Sequence, residues 1–477
     1  MSATPAAAGA SAPTARKRRS SLIYIFGALG GLNWGYDTGV ISAALVYLRR
    51  DFELTSWAEA WVVTGLIVGA VIGAAFGGRL SDLYGRRRVL LWTAVAFIIA
   101  PLGMAWSPNT EVLFLFRVVV GLGAGLAAVT LPVYLSEIAP ARIRGKVTAF
   151  YALAIVFGQF LGFIIGVVFA PMESWRWMLG LSVVPSVLFA LGLLVIWETP
   201  RWLVKKGREE EARRVLHYDR TPEEAQRELD EIHAVQKAEE AVGVRGLKAL
   251  TQSWVKPILL VGLGLAVFQQ IMGINAIMYY APTTLQNVGF SDEGAIGSNL
   301  IIGLMNITAV TLALIFADRL GRKPLLLIGA AGTTLSLLVL GLTNLLLPEP
   351  DGVGTVGIVT LSAMAIYVFL FQFSWGAIVW VLLGEIFPLG IRATAMAVAT
   401  TALWFGNGVV SLFFSPVLEW AGVGALYLGF AVICAFAFAF TIAKVPETKK
   451  RSLEEIEDNF RQTAGMPAIP LGVKRGS

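Results

Sequence analysis

The sequence predicts an all-α integral membrane protein of about twelve transmembrane helices, arranged as two pseudo-symmetric six-helix halves joined by a helical linker. Three observations carry this expectation. Of 477 residues, 56% are hydrophobic and only 15% charged, against roughly 25% charged in soluble domains, and the mean hydropathy is +0.70. Apolar runs of about 20 residues, the length that crosses ~30 Å of hydrocarbon, recur along almost the whole chain. A hydrophilic interval near 198–255 divides these runs six and six, and charged motifs repeat on either side of it.

The runs lie near 21–48, 57–78, 89–106, 112–135, 147–170, 176–197, 257–281, 295–317, 324–346, 355–383, 391–418 and 420–443. Lipid offers no hydrogen bonds to exposed backbone, so the choice is between helices and a closed barrel, and continuous apolar runs select helices over a barrel's alternation. Residues 1–20, with Arg16, Lys17, Arg18 and Arg19, lack the apolar core and cleavage site of a signal peptide and read as a retained N-terminal tail. The division expected is therefore a tail at 1–20, a half at 21–197, a linker at 198–255, a second half at 256–445 and a tail at 446–477. Lys and Arg concentrate in alternate loops, among them Arg86 to Arg88, Arg142 to Lys146 and Arg319 to Lys323, while Asp292, Glu293, Glu349 and Asp351 mark the intervening ones. Positive loops stay inside, so both termini are expected in the cytosol.

Composition also excludes several classes. Lys+Arg exceed Asp+Glu by 38 to 32, but the basic residues sit between apolar runs rather than in one stripe, which argues against nucleic acid. The one cysteine, Cys434, rules out an intramolecular disulfide or a four-cysteine metal site, and the two histidines, His217 and His233, lie in the hydrophilic linker. Neither a phosphate-binding Gly-x-x-x-x-Gly-Lys-Ser/Thr loop nor a histidine cluster is present, so an enzyme is not expected, nor a cofactor or metal.

The repeated motifs are direct. Asp82 to Arg87 (DLYGRR) follows the second run and Asp318 to Lys323 (DRLGRK) the eighth; Glu137 to Arg144 (EIAPARIR) follows the fourth and Glu385 to Arg392 (EIFPLGIR) the tenth. Two halves related by an axis along the membrane normal account for them. Carboxylates and guanidinium groups thus gather at helix ends on one side, and Arg86, Glu137, Arg144, Glu198, Arg322, Glu385 and Arg392 are expected to form a cytosolic latch. The plainer alternative is a set of solvated turns that signal topology.

Asp37 is the most informative residue. It lies mid-span in Gly35-Tyr36-Asp37-Thr38-Gly39, where a carboxylate costs roughly 2.5–3.5 kcal/mol or more and is functional by default. Arg117, in the fourth run, lies at comparable depth. Burial favours the neutral acid and the guanidinium favours the carboxylate, and a group balanced between the two can load and release a proton; a static ion pair is the alternative. A second set comprises Gln159, Gln269, Gln270, Asn275, Asn306 and Asn407, with Trp34, Tyr279, Tyr280, Trp380 and Trp404 in the same runs. Amides bond hydroxyl groups in both directions and indole faces stack on C–H surfaces, which is the chemistry of a neutral sugar site. Each amide alone reads as interhelical glue; the cluster, with Gln270 and Asn275 on either side of Gly273, points to a ligand.

Over about residues 20–460 the chain resembles the sugar porter family of the major facilitator superfamily. The matching stretches are Gly35 to Thr38, Gly85 to Arg87, Arg117 with Tyr134 to Glu137, Glu198 to Leu203, Gln269 to Asn275, Gly321 to Lys323, Glu385 to Pro388 and Pro446 to Thr448. The resemblance implies alternating access, a monosaccharide or polyol substrate lined by Gln159, Gln269, Gln270, Asn275, Asn306, Trp380 and Asn407 and walled by Trp34 and Trp404, and a bacterial plasma membrane location as a monomer. Bacterial proton symporters of that family carry an Asp at the position of Asp37, paired with the arginine matching Arg117, and passive animal relatives carry an uncharged residue there. Proton-coupled sugar import is accordingly expected, with the proton as coupling ion and a passive facilitator as the nearest rival; a nutrient sensor is more remote. The chain departs from the family pattern at Trp197, Lys450, Leu83 and Leu403, the last beside Trp404 where xylose symporters have a Gln that touches sugar, so hexose, pentose and inositol all stay open.

Overall fold

The structure, a computed structural model, describes residues 13–140, 142–218, 220–241, 250–252, 254–347, 352–388, 391–449 and 455; residues 1–12, 242–249 and most of the expected C-terminal tail lie outside them. Every regular element among the described residues is a helix, with no strand among them. The first half comprises α1 (Pro13–Asp51), α2 (Ser56–Tyr84), α3 (Arg86–Ala105), α4 (Thr110–Ile138), α5 (Arg144–Phe169) and a sixth span broken into α6 (Trp175–Gly180) and α7 (Val183–Val195). The linker holds α8 (Pro200–Lys205), α9 (Glu209–Leu216) and α10 (Pro222–Ala241). The second half comprises α11 (Val255–Ile271), α12 (Ile274–Gln286), α13 (Asp292–Leu320), α14 (Arg322–Leu346), α15 (Thr355–Phe371), α16 (Ala377–Ile386) and α17 (Arg392–Lys444).

Among the described residues, ten helical stretches are long and apolar enough to cross a membrane. One of them is two helices that meet at Gly422 (φ 77°), and α1 completes twelve. One boundary differs from expectation: α1 starts at Pro13, inside the segment read as a tail. Proline suits a first helical turn, and the Ala, Arg and Lys that follow are good helix formers.

Helix starts follow ordinary capping chemistry. Thr55, Asn109 and Ser291 accept from the backbone N–H groups of Ala58, Val112 and Gly294, in the first turns of α2, α4 and α13. Lipid-facing Leu, Ile, Val and Phe stay exposed, and Trp57, Trp61, Trp106 and Trp420 ring one end of the bundle, the placement of an interfacial aromatic belt. The linker has its own small core of Trp202, Leu203, Ala212, Leu216, Ala225, Leu229 and Ile232. It is fastened to the first half: Trp202 Nε1 donates to the Asp82 carbonyl (3.0 Å) and Arg220 Nη2 to the Ile138 carbonyl (3.2 Å).

Two glycine seams place the central charges. A Cβ at Gly35 or Gly39 would collide with the backbone of Ile155 or Gln159, so α1 and α5 touch backbone to backbone around Asp37. Gly69 and Gly121 bring α2 and α4 equally close, and Gly65 leaves room for the stem of Arg117. Small residues substitute for a hydrophobic driving force that lipid does not supply.

Candidate functional site

Asp37 and Arg117 meet as expected. Arg117 Nη1 lies 2.6 Å from Asp37 Oδ2, the two residues are 3% and 1% exposed, and Arg117 Nε donates to the Val62 carbonyl at 3.2 Å. The pair thus ties α1, α4 and α2 together in the interior of the first half.

The amides gather beside it. At Gly273 (φ 98°) the seventh span breaks into α11 and α12, and across the break Asn275 Nδ2 donates to Gln270 Oε1 (2.7 Å) while Gln270 Nε2 donates to Gln269 Oε1 (2.5 Å). Asn306 of the second half donates to Gln159 of the first at 2.6 Å, and the Asn306 Oδ1 is buried without a partner among the described residues. Trp34 and Trp404, one from each half, face each other at 5.5 Å. Tyr279, which is buried, lies near Asn407, Asp37 and Arg117, between the amide set and the ion pair. Trp380 is 39% exposed and lies four residues beyond a π-helical turn at Gln372–Gly376.

At one end of the bundle the duplicated motifs build two matching charge clusters. In the first, Arg86 Nε pairs with Glu137 Oε2 (3.1 Å) and Thr199 Oγ1 donates to the same oxygen (2.6 Å), while Glu198 accepts from the backbone N–H of Arg86 (3.0 Å) and Arg87 (3.1 Å). In the second, Arg322 Nη2 pairs with Glu385 Oε1 (2.8 Å), Thr448 Oγ1 donates to Glu385 Oε2 (2.5 Å), and Glu447 accepts from the N–H groups of Arg322 and Lys323, both at 3.1 Å. Gly85 and Gly321, at φ 99° and 91°, turn the chain where a side chain would strike those two carboxylates. Burial pushes the Glu198 carboxyl up against the opposing pull of its backbone donors. Burial acts the same way on Glu447, but there the N–H donors prevail and hold the carboxyl below its ordinary range.

Two members of the expected latch are placed differently. Arg392 Nε donates to the Phe387 carbonyl (2.9 Å), and Arg144 Nε and Arg392 Nη2 are buried without partners among the described residues. Glu137 and Glu385 pair instead with Arg86 and Arg322. Sequence reasoning missed Thr199, Glu447 and Thr448; the signal was the dipeptide Glu-Thr, which occurs at 198–199 and again at 447–448.

Residues 23–460 match the family model described as Sugar (and other) transporter. The D-xylose transporter of Levilactobacillus brevis is 38% identical over 96% of this chain and 100% of its own length. The glucose transporter GlcP of Staphylococcus epidermidis is 36% identical over 94% of this chain and 99% of its own. Among solved structures, the major facilitator superfamily proton:xylose symporter XylE bound to 6-bromo-6-deoxy-D-glucose superposes with a TM-score of 0.75 at 32% identity, covering 93% of this chain and 100% of that one. With twelve spans, duplicated charge clusters and this match over nearly its full length, the chain belongs to the sugar transporter family of the major facilitator superfamily and is a multi-pass membrane transporter, not an enzyme.

Proposed function

We propose that this transporter imports a neutral monosaccharide or polyol together with a proton, as a monomer in a bacterial plasma membrane with both termini and both charge clusters in the cytosol. The proton is the coupling ion and no cofactor takes part. The observation that carries this reading is the buried Asp37–Arg117 pair at 2.6 Å. A buried ion pair is a poor way to gain stability alone, whereas a carboxylate that exchanges its guanidinium partner for a proton changes the charge of the first half by one unit. Sugar hydroxyls replace the amide–amide bonds: Gln159 and Asn306 come from opposite halves, so a ligand that bonds both draws the halves together. Trp34 and Trp404 close over its C–H faces.

An electrogenic step gains roughly 2.3 kcal/mol per 100 mV, which at about 1.4 kcal/mol per decade permits about fortyfold accumulation. The test is uptake of radiolabelled glucose, xylose, galactose and myo-inositol into proteoliposomes, with and without an inward proton gradient. Gradient-dependent accumulation of one sugar supports symport. Equilibration regardless of gradient assigns a facilitator, and absence of uptake for every sugar refutes the substrate class.

A further inference from the structure

Glu59, the fourth residue of α2, is 0% exposed although it lies near a helix end. Ser415 of the second half donates to its Oε2 at 2.9 Å, Arg49 Nε stands 3.6 Å from the same oxygen, and Oε1 has no partner among the described residues. Ser415 is the last step of a buried polar file. Asn407, Ser411 and Ser415 are spaced by four residues and so share one face of α17; Ser411 Oγ donates to Asn407 Oδ1 (3.2 Å) and Tyr280 donates to the Ser411 carbonyl (3.3 Å). The file runs from the amide set to Glu59, at the end of the bundle opposite the charge clusters. Two further polar ties join the halves at this end: Asn299 Nδ2 donates to Ser42 Oγ (3.0 Å), and Arg50 pairs with Asp292.

Burying a carboxylate with one oxygen unsatisfied is costly, and an apolar side chain would pack the same seam more stably. The arrangement is useful if the bond is made to be exchanged: when the seam parts, water replaces Ser415, while Arg49 of the same half stays beside the carboxylate. We propose that Glu59 and Ser415 form the tie that holds this end of the two halves shut, and that its release sets how often the end opens. Arg49 strengthens the tie, whereas the exposed Glu419, one turn beyond Ser415, opposes it; among the described residues Tyr280 is a further titratable neighbour. The inference rests on the alternating-access reading but on neither the sugar nor the proton.

Spin labels at Glu111→Cys and Glu293→Cys, exposed sites near this end of each half, in a Cys434→Ser background, report the separation by double electron–electron resonance in lipid nanodiscs. Ser415→Ala is expected to raise the ratio of long to short separations about tenfold, the factor attached to losing one hydrogen bond to a charged group. Ser415→Thr keeps the hydroxyl and should restore the parent distribution, and the double variant with Glu59→Ala should shift no further than either single change. An unchanged distribution in folded, monodisperse Ser415→Ala overturns the proposal, as do fully additive effects. Should Glu59→Ala not fold, the Ala and Thr variants at 415 decide alone. The distances are read without sugar or gradient, so failure of the tie and failure of proton-coupled uptake are separate results.

Discussion

Replacing Asp37 with Asn separates a proton carrier from a static ion pair. The asparagine Oδ1 can still accept from Arg117 Nη1, now 2.6 Å from Asp37 Oδ2, so a hydrogen bond to a charged donor worth about 1.5–3 kcal/mol survives. What is lost is charge attraction, about 4 kcal/mol for unit charges about 4 Å apart at an effective dielectric near 20, offset by the desolvation no longer spent on the carboxylate. The net cost to stability is about 1–2 kcal/mol, which a folded chain survives. The cost to coupling is complete, because Asn has no proton to carry. In proteoliposomes held at an inside-negative potential of about 100 mV with equal pH, wild type should accumulate sugar up to about fortyfold. Asp37→Asn should stop at equal concentrations while still exchanging labelled for unlabelled sugar. Gradient-driven accumulation by the Asn variant would refute the assignment, and loss of folded protein would favour the static pair.

Other expectations follow from neighbouring geometry. Gln159→Ala and Asn306→Ala should each weaken sugar binding about tenfold, with the double variant well short of a hundredfold, because they share one hydrogen bond; calorimetry of the three variants checks this. Gly35→Val drives a side chain into the Ile155 backbone and should abolish folded protein, costing more than about 3 kcal/mol, as read by size-exclusion of a fluorescent fusion. Glu385→Gln removes the charge that Arg322 holds at 2.8 Å and should shift the equilibrium between the two facing states, read as altered accessibility of a cysteine at the opposite end. The pH response of the clusters differs in sign. Glu447, held below its ordinary range by backbone donors, adds stability above the unfolded carboxyl value that is lost as pH falls through the folded value. Glu198, pushed up by burial, is favoured as the acid, a contribution lost as pH rises through its folded value. Melting curves of Glu447→Gln should therefore lose part of the acid-side fall seen in wild type, and those of Glu198→Gln should not.

The spans were legible because hydrocarbon thickness imposes a run length that few other structures share. Breaks inside a run were less so. Gly273 was visible as a weak point between polar neighbours, whereas the turn at Gln372–Gly376, with its Gln, Ser and Gly, lies inside a run long enough to read as one continuous span. Asp37 and Arg117 were legible because ionised residues are costly deep in a span and persist there paired with one another or lining a transport path. Glu59 was not, because an acid near the start of a helix normally caps it in water, and only the packing of α17 removes that water. Arg144 and Arg392 show the limit of motif spacing: it placed them at the correct helix ends and said nothing of where their side chains would turn.

The fastening of the linker has a practical consequence. Trp202 and Arg220 bond backbone carbonyls at the ends of α2 and α4, so α8 to α10 ride with the first half as cargo on a rocking beam. A binder or fluorophore mounted on α10 will therefore report the tilt of that beam without touching a transmembrane helix.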